Sequence, residues 1–427
     1  MSDDGATVLS RRAFGRLVGA AVLAARSRPG VASAGPDAAP GPEAGERFWR
    51  AVRDQFLMPA DLAAFNAANL CPSPAPVVRV LESRTRDIDR DPSPVVKQRL
   101  AEERERVRAA VAAWLRVSPA EIVLTRNTSE ANNLVSSGLD LRAGDEVVVF
   151  GDNHPSNHAA WRDKARRGGF TVRTVDPVTP HPGGESYVEA FVRATGPRTR
   201  LWALTHVTNS VGDRLPVAEL CRAARERGVL TLVDGAQALG VLDVDLSVLQ
   251  PDFFTGSGHK WPCAPRETGV LYVRADVLPR VSPSIVSLYP GTVGASRTLE
   301  AYGQRDEAAV AGLGEAIAFQ RAIGMAAIEA RACELARALA DGLRRLDGVR
   351  LWTDRSPDRS AAIVTFQPGA LDPARLARAL YERDRIVCAA RTGADRPGIR
   401  FSPHIYNLHE EVERAVAAVA RYLRAGL

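Results

Sequence analysis

Thr231-Leu232-Val233-Asp234-Gly235-Ala236-Gln237-Ala238 is an apolar run that ends in a carboxylate, a glycine and a carboxamide. Downstream, Ser257-Gly258-His259-Lys260 lies between two short apolar runs, Phe253-Phe254 and Val270-Leu271-Tyr272-Val273. One strand that delivers an acid at its C-terminal end, beside another that delivers a lysine, is how an open α/β sheet assembles a ligand site. Either motif alone is weak, because a lysine after Gly-His in a turn is more often a solvated cation. Together they are hard to explain as surface charges. His259 and Trp261 flank Lys260 and are able to desolvate its amine, which makes it a candidate nucleophile.

Outward from this pair the chain alternates strand and helix patterns. Apolar runs at 122–124, 146–150, 170–175, 201–206, 230–233, 253–254 and 270–273 are separated by turns and helical stretches. Such repetition predicts an α/β fold with a mostly parallel, seven-stranded-type sheet covered by helices, with its ligand site at the strand C-termini. After Leu278 the composition changes to a Ser, Pro and Gly-rich loop at 282–296. A helical region at 308–346 follows, too long for one ordinary globular helix and expected to break near Gly324. Strands at 360–366, 386–390 and 398–402 with helices at 373–382 and 410–423 then read as a smaller α/β module. The expected division is an N-terminal segment at 46–85 packing with the small domain, a large domain at 86–307 and the small C-terminal domain at 308–427.

The first residues read differently. Ser10-Arg11-Arg12-Ala13-Phe14-Gly15-Arg16 precedes a mild apolar stretch at 17–25, and Ala32-Ser33-Ala34 offers a small-residue cleavage site. Residues 1–34 thus resemble a twin-arginine signal, with a Pro/Ala/Gly-rich linker at 35–45. The expectation is an exported protein, periplasmic or secreted, handled by the twin-arginine machinery. The apolar stretch is too short to span a bilayer, so no stable membrane insertion is expected. Over the 427 residues, 56 basic and 50 acidic side chains leave a net charge of +6, spread as dispersed arginines, which argues against a nucleic-acid partner. The five cysteines are far apart and lack CxxC spacing, so neither a disulfide framework nor a metal site is expected.

Four features share one chemistry. Asp234 is suited to keep a heteroaromatic nitrogen protonated, and Lys260 to form an imine with an aldehyde. Asn127-Thr128-Ser129 offers backbone N–H groups and hydroxyls at a helix start, which suits a phosphate. His154 offers a flat ring at the end of a neighbouring strand. Aldehyde, pyridinium, phosphate and planar ring together describe pyridoxal 5′-phosphate.

On these motifs, from about Phe48 to the C-terminus, the chain resembles the class V aminotransferase-like enzymes of fold type I, whose relatives include isopenicillin N epimerase and the cysteine desulfurases. The resemblance implies Lys260 as the Schiff-base lysine, Asp234 as partner of the ring nitrogen and His154 stacked on the ring. It places Gln237 and Asn209 near the phenolic oxygen, and Thr128, Ser129, Ser257 and His259 around the phosphate. Arg400, in Ile399-Arg400-Phe401-Ser402, is the implied clamp for a substrate carboxylate. Arg391 and Asn69 are placed at the substrate entrance and pocket wall. A homodimer acting on a small amino-acid substrate is implied, by transamination or epimerisation, with carbon–sulfur β-elimination as the alternative and a non-catalytic scaffold as the reading that Lys260 opposes. Two departures stand out. Gln304 occupies a position where relatives often carry a threonine. The loop Ala394-Asp395-Arg396-Pro397-Gly398 lacks the thiol that desulfurases place after the Arg-Thr-Gly motif, from which the expectation is that the chain is not a cysteine desulfurase.

Overall fold

The computed structural model describes residues 45–393 and 395–427, so the signal segment and nearly all of the linker expected before Glu46 lie outside the described residues. In chain order the strands are β1 (Ala63–Ala64), β2 (Ile122–Thr125), β3 (Glu146–Phe150), β4 (Thr171–Val175), β5 (Thr199–Thr205), β6 (Leu230–Asp234), β7 (Phe253–Ser257), β8 (Gly269–Val273), β9 (Val349–Leu351), β10 (Val364–Pro368), β11 (Ile386–Val387), β12 (Ala389–Arg391) and β13 (Gly398–Phe401). Strands β2 to β8 form a seven-stranded sheet in the order β2-β8-β7-β6-β5-β3-β4. Pairing is parallel from β7 across to β4, and β8 runs antiparallel to both of its neighbours.

The sequence explains this sheet. Strands β2, β3, β6, β7 and β8 are buried at every residue, which demands the near-continuous apolar runs seen in them and helices on both faces. Winding reverses between β3 and β5, because β4 lies on one side of β3 and β5 on the other. The crevice at that reversal opens where β3, β5 and β6 end.

The helical region expected to break near Gly324 does so. Glu307–Ile323 and Met325–Arg344 are separate helices, and Gly324 between them takes φ +98°, a value that strains a residue with a Cβ. Ser118 and Glu121 form the reciprocal cap their spacing suggests, over the short turn Pro119–Glu121. One long helix, Ala75–Arg90, has little apolar period to reveal it. Its buried residues are all in its first turn, Ala75, Pro76 and Val77.

A second sheet, β12-β13-β10-β9, is antiparallel throughout. Its apolar core contains Leu335, Leu339, Phe366, Leu380, Ile399, Phe401 and Tyr422. Segment 46–85 divides between the cores. Ala63 and Phe65 join the second one, β1 pairing with β11, while Phe48, Trp49, Val52 and Val77 join the first. Each fully buried large side chain of this kind contributes about 1.5–3 kcal/mol.

Candidate active site

Strand β6 carries Asp234 to its end, and the next residue must be glycine because a Cβ there would run into the Phe254 ring. The Asp234 carboxylate is 4% exposed and fixed from two sides. Asn132 Nδ2 donates to Oδ2 at 3.1 Å, and the Ala236 N–H donates to Oδ1 at 3.0 Å. Asn132 is itself oriented by Thr255, whose hydroxyl donates to its Oδ1 at 2.9 Å. One helical turn separates Asn132 from Thr128, a spacing that marks it as facing the same way, although sequence reasoning missed it.

Strand β7 ends in Ser257, and the turn to β8 holds Lys260. Gly258 donates its N–H to Thr268 O at 2.7 Å, and a side chain on Gly258 would collide with the Thr268 hydroxyl. The turn therefore stays tight against the sheet. Ser257 Oγ accepts from the Thr128 N–H at 2.9 Å and lies 2.7 Å from the Thr128 hydroxyl, so the hydroxyls gather at the start of the helix Thr128–Gly138. Asn127 caps that helix by accepting from the Glu130 N–H. N–H groups at a helix start and clustered hydroxyls are a donor set that fits a phosphate.

A cleft of about 330 Å³ lies over these elements. Of the residues expected at the site, Lys260, Asp234, His154, Thr128, Ser129, Asn209, Gln237, Ser257, His259, Arg400 and Asn69 all line it. Arg391 does not. Enclosure lowers the Lys260 pKa to about 8, the Asp234 carboxylate opposing that shift and the Arg400 guanidinium adding to it. Among the described residues the Lys260 amine has no hydrogen bond or ion pair. His259 is pushed down to about 4 by burial and by the charges of Lys260 and Arg266, so its ring is neutral near pH 7. His154 caps the helix Pro155–Gly168, its Nδ1 accepting from the Ser156 N–H at 3.2 Å. Crowding and the Lys260 charge hold it below the ordinary histidine range.

Gln237 is more constrained than its spacing suggests. Its Oε1 accepts from Trp261 Nε1 at 2.8 Å and its Nε2 donates to Ala68 O at 2.9 Å, leaving one amide hydrogen uncommitted at the cleft. Arg400 is 8% exposed at the end of β13. Its Nη1 donates to Asn209 O at 2.7 Å, its Nη2 reaches Asn66 Oδ1 at 3.4 Å, and its Nε is buried without a partner. Burial and the nearby Arg391 charge lower its pKa to about 10, and no carboxylate offsets them.

Behind Lys260 lies a group that the spacing of the chain does not announce. Cys71, Cys263 and His404 bring their ligating atoms within 4.8 Å of one another, all buried. The Cys71 N–H donates to His259 O and the Cys263 N–H to Lys260 O, each at 2.9 Å. His404 Nε2 and Gln320 Nε2 both reach Trp261 O, at 2.7 and 2.6 Å. Every peptide carbonyl from His259 to Trp261 is thus held from behind. These cysteines brace the lysine turn.

The residues fit a pyridoxal phosphate cofactor on chemical grounds: an uncommitted, enclosed amine, a fixed buried carboxylate and an anion-binding helix start share one cleft. Comparison with known proteins agrees. A family model described as aminotransferase class-V matches residues 78–415. The isopenicillin N epimerase of Amycolatopsis lactamdurans is 35% identical over 389 residues, covering 87% of this chain and 98% of that protein. A probable cysteine desulfurase of Methanothermobacter thermautotrophicus is 31% identical over 391 residues, covering 85% of this chain and 95% of that protein. Two solved structures of C-DES align with TM-scores of 0.79 at 27% identity, over 86% and 84% of this chain and 98% of each of theirs. One has glycine covalently linked to its pyridoxal phosphate cofactor, and the other is a cystine C–S lyase with its reaction product, cysteine persulfide.

These likenesses overturn the expectation that the chain stands apart from the cysteine desulfurases. Relatives of that name and a persulfide-forming lyase share its fold over most of its length. The physical reason is that a loop thiol bears on where sulfur goes after it leaves the substrate, whereas carbon–sulfur cleavage needs the lysine and the cofactor. The cofactor is pyridoxal 5′-phosphate, and the chain belongs to the class V aminotransferase family.

Proposed function

We propose that this protein moves the α-proton of an amino acid or amino-acid-containing metabolite and that the outcome is epimerisation, with transamination as the other product of the same first step. The observation that carries the reading is the presence in one cleft of two basic groups with no ion-pair partner among the described residues, the Lys260 amine and the Arg400 guanidinium. Pyridoxal phosphate, when bound, supplies an electron sink for the bond broken at the α-carbon. Arg400 would take the substrate carboxylate through its Nε and the remaining hydrogens of its fork, orienting the α-carbon toward Lys260. With a pKa of about 8, the Lys260 amine is neutral often enough near neutral pH to act as the base at that carbon. Asp234, held by Asn132 and the Ala236 N–H, would keep the ring nitrogen protonated. Thr128, Ser129, Ser257 and His259 would hold the phosphate, His154 would stack on the ring, and the free Gln237 amide hydrogen would meet the phenolic oxygen, with Asn209 beside the same edge.

Epimerisation is favoured because the epimerase relative aligns over 98% of its length. A second reading, β-elimination at a carbon–sulfur bond, is supported by the likeness to the cystine C–S lyase. Incubating the purified protein with an amino-acid panel separates them: α-deuterium exchange with inversion marks epimerisation, keto acid without free ammonia marks transamination, and pyruvate with ammonia and a released thiol marks elimination. Lys260→Ala should abolish all three outputs together with the lysine-dependent visible absorbance band. Persistence of both in the variant would refute the reading.

The assembly we propose is a homodimer. Leu288 and Tyr289 are exposed and, with Val96, Leu100 and Gln304, line a groove of about 480 Å³ that a second copy would cover. A monomer that is loaded and active in light scattering would contradict it. We also propose export through the twin-arginine route, for which N-terminal sequencing of the secreted protein should begin near residue 35, and full-length protein confined to the cytoplasm would rule it out.

A further inference from the structure

Three arginines converge beside the cleft with Asp152, Asp213 and Asp395 near them, and among the described residues one of the three, Arg391, makes no ion pair with any of these acids. Strands β12 and β13 are antiparallel with Ala389 opposite Arg400 and Arg391 opposite Gly398. Arg391 and Arg400 therefore leave the same face of the ladder as diagonal neighbours, a spacing of roughly 7–8 Å that long side chains can reach across. Two like charges at that separation repel, and the repulsion contributes to lowering the Arg400 pKa. A folded chain ordinarily answers such a pair with an acid.

Here it does not. Among the described residues Arg391 makes no hydrogen bond or ion pair, and its Nε is buried without a partner. Asp152 and Asp395 attract Arg391 from a distance, but both are already paired with Arg396 Nη2, at 3.0 and 2.8 Å, and Asp152 also accepts from the Ser210 hydroxyl. Arg396 is itself buried, and although Nε and Nη2 reach the exposed Asp395, its Nη1 is buried without a partner. Asp152 lies two residues before His154 on the loop that rims the cleft, so these guanidiniums stand at the cleft edge and not on a remote surface. Arg400 can clamp one carboxylate. Arg391, with the spare Nη1 of Arg396, has hydrogens and charge left for another.

We infer that the substrate carries a second carboxylate, remote from its α-carbon, and that Arg391 receives it with Arg396 beside it. The inference rests on the proposed function for its first carboxylate, the one at Arg400. It names a substrate class: amino acids, or larger metabolites containing one, whose far end is an anion.

The test uses the full-length, cofactor-loaded protein and calorimetric titration with simple anions that lack an amine. Monocarboxylates from butyrate to heptanoate are compared with dicarboxylates from succinate to pimelate. At least one dicarboxylate should bind about 10-fold or more tightly than the monocarboxylate of equal length, as a second charge-assisted bidentate contact warrants. Arg391→Gln should remove that advantage while leaving monocarboxylate affinity within about two-fold. Arg391→Lys, which keeps the charge without the planar fork, should retain part of it. Arg391→Gln should melt at or above the wild-type temperature, since no acid loses its partner. Equal binding of mono- and dicarboxylates by the wild type overturns the inference, as does an Arg391→Gln variant that weakens both alike. Alpha-deuterium exchange measured on the same samples separates the two claims. Exchange without a dicarboxylate preference removes the second anion site and leaves the proposed function. A dicarboxylate preference with no exchange of any amino acid does the reverse.

Discussion

Arg108 and Arg400 are both buried, and they sit in opposite electrostatic circumstances. Arg108, on the helix Pro94–Leu115, is wholly buried and meets Glu300 through Nη1 at 2.5 Å and Nη2 at 3.0 Å, Glu105 through Nε at 2.8 Å, and Ile122 O at 2.9 Å. Burial pulls its pKa down, but the bonds to Glu300 and Glu105 outweigh it and the guanidinium is held more firmly charged than in water. Arg400 has comparable burial and only a backbone carbonyl and a carboxamide for partners, and its pKa falls. A buried guanidinium whose acids are built into the chain belongs to the fold. One whose acid is missing belongs to a ligand.

The largest effect expected from this contrast is on stability. Glu300→Ala strips Arg108 of its bidentate partner, orphans the Leu124 N–H and releases Arg305, which also pairs with Glu300. Arg108 keeps Glu105 and Ile122 O, but removing the buried partner of such an ion pair costs about 3–5 kcal/mol. Chemical denaturation should report that loss, and a change below 1 kcal/mol would mean that Arg108 is not the structural member of the pair. Arg400→Gln should do something different. No acid loses its partner, so the melting temperature should hold or rise, while KM for an amino-acid substrate rises by roughly 100-fold, about 2.7 kcal/mol of lost anion recognition. If Arg400→Gln destabilises the fold as much as Glu300→Ala does, the distinction collapses.

A smaller effect sharpens the comparison with an acid in place of a base. Asp213 is 3% exposed, and burial together with the Asp152 charge raises its pKa to about 7. The folded state then holds a proton that the unfolded chain has already released, so stability falls as pH rises from about 4 to about 7. Asp213→Asn removes that penalty. The variant should match the wild type near pH 4 and exceed it by roughly 1–2 kcal/mol at pH 8, a figure discounted for water penetration and relaxation. Urea midpoints at the two pH values decide it, and an advantage that is the same at both would show that ionisation is not the cause.

What the sequence made legible follows from where information is local. Asp234, Lys260 and Thr128 stand at ends of short apolar runs, where chain order alone places side chains at one edge of a sheet. Eleven of the residues expected at the site do line one cleft. The brace behind Lys260 was not legible, because Cys71, Cys263 and His404 come from three distant segments and meet only through tertiary packing. Nor was the relation of Arg391 to Arg400, which depends on the antiparallel register of β12 on β13. Helix Ala75–Arg90 was missed because its buried residues are confined to one turn. The smaller sheet was read with its strands slightly displaced: 360–366 became Val364–Pro368, and 386–390 split into β11 and β12.

The antiparallel course of β8 gives the lysine turn a kinetic character. Lys260 is carried between two paired interior strands, β7 with β6 and β8 on its sides and β8 with β7 and β2 on its own. Freeing the turn from its place means unpairing the middle of the sheet, so it cannot fray as an edge loop does. Amide hydrogens of β7 and β8 should therefore exchange only through the largest openings of the chain, later than those of the edge strand β4.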